Sequence, residues 1–329
     1  MGRKAAALAE AVEIGTPVNV PGASFELPAR SPFELFWRRF RHDKLALASL
    51  GFIGLLIVVA LAAPLIIEVA GTPEPDVRDR GALDVFGTPT GPSSAHPAGV
   101  DEIGRDVFSR TVYGTRVSLL VAFLATGMAT LVGVTLGLLA GYMRGWTDVI
   151  VSRSVDVLLA IPYLLLAVGL AASCSLGDGC FGGLVKPGLG VVIFVIAFTS
   201  WPSIARIVRG ETLSLREREF VEAARSVGAS NPRIIFMEVL PNLVAPIIVY
   251  TSILIPQVIL IEAALSFLGV GVQDPTASWG QMISDATQIF DTAWWYMLYP
   301  GIALLLTVLA FNLVGDALQD ALNPKSSRK

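Results

Sequence analysis

Six stretches of the chain stay apolar long enough to cross a bilayer, at residues 45–67, 117–143, 149–172, 189–208, 243–268 and 297–314. A spanning helix needs ~20 such residues to cover ~30 Å of hydrocarbon. The first two hold no charged residue, whereas the third carries Arg153 and Asp156 in its opening turns. The pattern predicts an all-α integral membrane protein with six transmembrane helices. Ahead of the first span, residues 1–28 read as a weakly ordered polar tail, and 33–41 as a surface helix. The apolar stretch after the basic cluster Arg38, Arg39, Arg41 and Lys44 is longer than a signal-peptide core and lacks a cleavage pattern, so it is expected to stay in the membrane.

Composition agrees with this pattern. Of 329 residues, 53% are hydrophobic and 16% charged, against roughly 45–50% and about 25% in soluble domains. Mean hydropathy is +0.66. The net charge of −3 gives no reason to expect nucleic acid or an acidic ligand. The positive-inside rule places both termini in the cytoplasm, because the inner segments then hold 18 of the 24 lysines and arginines.

Chemistry at a site of its own is not expected. Two histidines (His42, His96) and two cysteines (Cys174, Cys180) give no zinc spacing, and phosphate-loop, dinucleotide and nucleophile-elbow motifs are missing from the sequence. The expected reading is no catalytic residue, no metal and no cofactor in this chain. The cysteines fall between the third and fourth spans, on the outer side. Five intervening residues with two glycines could close a small disulfide loop, or leave two free thiols.

Several segments are more than apolar filler. Gly133, Gly137 and Gly141 share one helical face, where small residues permit close helix approach. That helix could slide, or simply pack as in any bundle. Pro162, Pro202, Pro246 and Pro256 are set to bend their spans. Glu262 is the intramembrane charge of note; it is placed near the outer end of its span, within reach of water, in a hydrogen-bonding or subunit-contact role rather than proton coupling. In the outer loop, Ile103, Val107, Phe108 and Val112 gather on one side of a helix expected to lie on the membrane surface.

The inner loop at 209–242 is the most informative. FVEAARSV favours a helix, Gly228 supplies its left-handed stop, Ser230 can cap a second helix, and Pro232 suits that helix's early turn. The second helix is expected over 234–239, ending before Leu240-Pro241. Two short helices with a sharp bend make a compact knob suited to a partner.

That knob resembles the EAA loop of ABC-importer permeases: Glu222-Ala223-Ala224, Gly228 and Leu240-Pro241 match it in type and spacing, with Glu238 at a position that is often aliphatic. Three more stretches resemble the C-type permease of the dipeptide, oligopeptide and nickel branch. They are GVDEIGRDVFSRTVYGTR, with Gly104, Arg105, Asp106, Ser109 and Arg110; EAALSFLGVGVQDPTASWGQMI, with Ser266, Gly269, Trp279 and Gly280; and FNLVGDALQDALNPK, with Asn312, Gly315 and Asp316. Val100, Asp274, Gln319 and Asn323 depart from the family pattern. The likeness covers about 33–325.

The resemblance implies a type I ABC-importer transmembrane domain. Its organisation would be a tail at 1–32, a first helix and outer loop at 33–110, a permease domain at 111–322 and a tail at 323–329. It further implies a coupling helix seated on one or two cytosolic ATPase subunits that bind the ATP and Mg, a second homologous permease, and an extracytoplasmic substrate-binding protein. The setting would be the lipid of a prokaryotic cytoplasmic membrane, with no nucleic acid partner. Di- or oligopeptides are the implied cargo, with nickel or another small solute as the rival. Outside the family, an ion-gradient transporter would call for midplane ionisable residues and repeated halves, and a membrane scaffold or sensor could use the knob for signalling.

Overall fold

A computed structural model describes residues 37, 40–176 and 179–322. Both tails and most of the segment expected as a surface helix at 33–41 lie outside the described residues. The described chain is helical: α1 (Lys44–Ala70), α2 (Val107–Met143), α3 (Gly145–Ala160), α4 (Tyr163–Ser175), α5 (Leu189–Arg216), α6 (Glu219–Ser226), α7 (Asn231–Ile234), α8 (Leu240–Phe267), α9 (Trp279–Ala286) and α10 (Trp294–Leu322). α2 and α5 form the central pair; α8 and α10 pack beside them, and α1 lies against α2 and α10.

Five helices are long and apolar enough to span a membrane, and α3 with α4 makes a sixth, bent by 93°. The third span is therefore bent where Pro162 is expected to bend it, but as a full break between two helices and not as a kink within one. Ile161, forced away from helical angles by the following proline, is extended (φ −87°, ψ 132°), and Pro162 restarts the chain as the cap of α4.

Two further expectations change. The outer surface helix does not exist as a separate element: Val107, Phe108 and Val112 are the first turns of α2, whose cap Asp106 accepts from the Ser109 amide at 2.7 Å. At 37 residues α2 is about 55 Å long, so it projects well beyond the bilayer. The second knob helix also does not end before Leu240-Pro241. A π-helical turn, Ile235–Val239, carries α7 directly into α8. The wider winding is closed by the Leu240 amide onto the Ile235 carbonyl.

Close approach of α2 and α5 follows from the glycine stripe. A Cβ at Gly133 would sit 2.8 Å from Ile204, one at Gly137 2.6 Å from the Ala205 carbonyl oxygen, and one at Gly141 2.7 Å from Thr212. With no side chain between them, the two backbones meet along three turns.

Candidate functional site

The EAA-like residues sit at one end of the bundle, where α2 and α5 terminate. Gly228 takes φ +81° and closes α6: its amide reaches the Arg225 carbonyl at 3.0 Å, and the Ala229 amide reaches that of Ala224 at 3.1 Å. Pro232 lies in the first turn of α7, as expected, while Ser230 holds the cap position with no side-chain cap bond.

The knob has two faces. Val221, Ile234, Ile235 and Val239 are buried in the same core cluster as Leu138, Tyr142 and Val208. Phe220, Glu222, Ala223, Val227, Phe236 and Met237 are exposed. Among the described residues no hydrogen bond or ion pair reaches the Glu222 carboxylate, so it does not tie α6 to the second knob helix.

Polar contacts fasten the knob to the bundle, and the sequence reading missed them. The Tyr142 hydroxyl donates to Asn231 Oδ1 at 3.2 Å, Arg216 donates to the Tyr142 carbonyl at 2.6 Å, and its guanidinium lies 5.5 Å from the Tyr142 ring centre. Arg144 pairs with Glu217 across the same corner. Nothing in the spacing of Tyr142, Arg216 and Asn231 announces these contacts; they exist because α2 and α5 end side by side.

The second group of family-like residues meets at the opposite end, on a platform formed by 71–106, the start of α2 and the 268–286 region. Arg105 and Arg110 are buried there with Asp101. Arg105 Nε donates to Asp101 Oδ2 at 2.6 Å and its Nη1 to Asp274 Oδ1 at 3.0 Å; Arg110 reaches the same Asp274 oxygen at 3.3 Å and Asp76 at 3.7 Å. Burial works against the charge on Arg105, but the Asp101 ion pair and hydrogen bond, with Asp274, outweigh it and hold the guanidinium protonated. Asp274, a departure from the family pattern, is thus an anchor for both arginines. Asp106 also bonds His96 at 2.9 Å, and Ser109 donates to Thr72 at 2.9 Å. Gly104 lets the loop close: a Cβ there would lie 2.3 Å from the Asp79 carbonyl oxygen.

Trp279 seats α9 on α2 by donating to the Thr111 carbonyl at 3.0 Å, and Gly280 lies where a Cβ would meet Ala263 Cα at 2.6 Å. Gly269 closes α8 in the left-handed region. Glu262 is not within reach of water. It is fully buried, bonded by Ser266 at 3.0 Å and Ser118 at 3.5 Å and by Ser278, and so links α2, α8 and the cap of α9. Within α9, Asp285 accepts from Gln281 at 2.8 Å and Tyr296 at 3.3 Å; burial, with Asp274 and Glu102 nearby, pushes its carboxyl up to about 6.

The third group does not join either cluster. Asn312 and Asp316 are exposed on α10, and Gly315 rests against Ser252 of α8 at ordinary contact distance. Cys174 and Cys180 are joined as a disulfide at the end of α4, with Cα atoms 4.7 Å apart. No group of three metal-ligating side chains occurs among the described residues.

The family model for the binding-protein-dependent transport system inner membrane component matches residues 133–328, and that for the N-terminal TM domain of oligopeptide transport permease C matches 31–80. The chain is 40% identical over 308 residues to a dipeptide transport system permease protein, DppC, of Alkalihalophilus pseudofirmus, covering 93% of this chain and 94% of that one. It is 41% identical over 296 residues to a glutathione transport system permease protein, GsiD, of Pectobacterium atrosepticum, covering 90% and 92%. A solved structure of the MetNI methionine ABC transporter in inward-facing conformation is similar in fold, with a TM-score of 0.55 and 21% identity over 66% of this chain and 97% of that one. An all-helical bundle with two specialised ends, matched over most of its length by permeases, leads to one assignment: the chain belongs to the family of inner-membrane components of binding-protein-dependent transport systems, as a permease subunit of the dipeptide and oligopeptide branch.

Proposed function

We propose that this chain is one of two homologous permeases in an ATP-driven importer of di- or oligopeptides, working with one or two cytosolic ATPase subunits and an external binding protein. The observation that carries the reading is the two-faced knob. Its inner face is welded into the α2–α5 core by Val221 and Ile234, while Phe220, Ala223, Phe236 and Met237 stand exposed. A docked ATPase pushing on such a loop moves α5 and α8 with it, because the π-helical turn leaves no loose joint before α8. Catalysis then stays on the ATPase chains, which bind ATP and Mg. Glu222, on the exposed face, is an ATPase contact. The knob and both termini are cytoplasmic, and the arginine platform at the far end of α2 faces the binding protein. The relatives' names, dipeptide and glutathione permeases, support peptides as cargo.

The test is purification in mild detergent through a C-terminal tag, with mass spectrometry of the chains that come along. A second permease with one or two ATPases carrying phosphate-binding loops is the expected result. Recovery of this chain alone from several detergents would contradict it.

A further inference from the structure

The two lateral faces of the bundle differ. α1 turns Leu50, Leu55, Val58, Leu61 and Leu65 outward with no charge among them, as lipid requires. On the face built by α3, α4 and α5 the chain does what lipid forbids. The span breaks through 93° at Ile161-Pro162, and residues 159–162 at the break are exposed. Broken backbone at membrane depth survives only where protein covers it or water reaches it.

Charges lie on the same face. Asp156 of α3 and Arg206 of α5 pair at 2.9 Å, with about half of each side chain exposed (54% and 55%). Both lie well away from the knob end of the bundle. Asp156 is about 16 Å from the start of α3 and Arg206 about 15 Å from the end of α5 at 1.5 Å per residue, and the break follows Asp156 by a turn and a half. Arg153 is exposed beside them, and Asp148 with Arg209 continues the ladder toward the knob. Beyond the break, the Tyr163 and Ser200 hydroxyls meet at 3.0 Å. Exposed ionisable groups inside a span mark an aqueous pathway.

We infer that this face lines the translocation path, and that Asp156 and Arg206 meet the ammonium and carboxylate of the passing peptide. The inference rests on the importer reading for its cargo, but not for the location of the path. Cargo charge fits the pair: a peptide with free termini carries one group for each partner.

The experiment uses the complete complex in lipid vesicles and a membrane-impermeant thiol reagent. The wild-type complex, in which Cys174 and Cys180 are disulfide-bonded, sets the blank. Arg206→Cys and, as a second position, Asp156→Cys are labelled from each side, without nucleotide and with ATP and vanadate; Leu61→Cys on α1 is the lipid-facing control. Labelling of at least one position that changes ten-fold or more between the two states, with Leu61→Cys silent, is expected. Silence of both positions in both states, or labelling that ignores the state, would overturn the assignment. Arg206→Gln is expected to lower dipeptide uptake at least five-fold, and unchanged uptake would remove the charge role. A wild-type complex that shows no ATP-dependent dipeptide uptake would refute the cargo reading by itself, leaving the labelling pattern to decide the path.

Discussion

The Tyr142 hydroxyl, in the last turn of α2, donates to Asn231 Oδ1 at the first residue of α7 across 3.2 Å. This single bond crosses from the central helix pair to the knob that faces the proposed ATPase, so it lies on the route of any mechanical coupling. Tyr142→Phe keeps the ring that Arg216 covers and loses only the hydroxyl. Its expected cost in stability is about 1 kcal/mol. The ratio of peptide uptake to ATP hydrolysis should fall by about two- to five-fold, read from both rates on one preparation. An unchanged ratio would mean that the bond carries no coupling.

Gly228 offers a cleaner lever. A Cβ there meets open space, yet φ is +81°. The penalty for a side chain is therefore conformational, roughly 1–2 kcal/mol and largest for a β-branched residue. Gly228→Val should assemble with its partners and hydrolyse ATP while losing peptide uptake, and Gly228→Ala should be milder. Normal uptake by a well-expressed Gly228→Val complex would show that the turn need not be rigid.

Gly137 differs in kind. A Cβ would lie 2.6 Å from the Ala205 carbonyl oxygen, backbone that cannot swing away. Gly137→Val should push α2 from α5 and cost more than 2 kcal/mol by overpacking, seen as a lower melting temperature in detergent. Gly127→Val, on the same helix with nothing within 4 Å, should melt like the parent. Equal melting of the two variants would refute the close-approach account.

At the platform, removing one charge should hurt more than the surface position of the loop suggests. Arg105→Met leaves Asp101, itself fully buried, with Arg110 at 3.9 Å as its remaining cation, and leaves Asp274 to Arg110 alone. Breaking a buried pair from one side costs about 3–5 kcal/mol. Loss of folded protein in detergent is expected for Arg105→Met. Melting within a few degrees of the parent would show that the pair is dispensable.

Asp285 predicts a pH effect. Its carboxyl titrates at about 6 instead of 3.8, so the folded protein holds a proton that the unfolded chain has released between those values. Stability from this group is fully present below the unfolded value and is lost as pH rises through about 6. Partial exposure reduces the effect to on the order of 1 kcal/mol. Asp285→Asn should flatten the melting-temperature profile between pH 4 and 7 and raise the value at pH 7; a profile that keeps the parent's slope would assign the effect elsewhere.

Much of this architecture is legible in the sequence because lipid imposes a simple pattern. Long apolar runs locate α1, α2, α5, α8 and α10, and the glycine spacing marks the face by which α2 meets α5. The third span is legible in part: Pro162 marks where it bends, whereas the size of the direction change depends on one dihedral pair at Ile161. Glu262 looks accessible when read along α8 alone; Ser118 and Ser278, which enclose it, come from distant segments. The knob's residues announce themselves, but its continuity into α8 depends on a π-helical turn that has no composition signature. Asp274 likewise reads as a departure until Arg105 and Arg110, more than 160 residues earlier, are seen to share it.

The most direct test of the account is uptake of a labelled dipeptide by vesicles containing the purified complex, with binding protein outside and nucleotide inside. Accumulation that requires both ATP and binding protein and survives a protonophore is the predicted result. Accumulation driven by an imposed ion gradient without ATP would contradict the account and return the chain to the gradient-driven class.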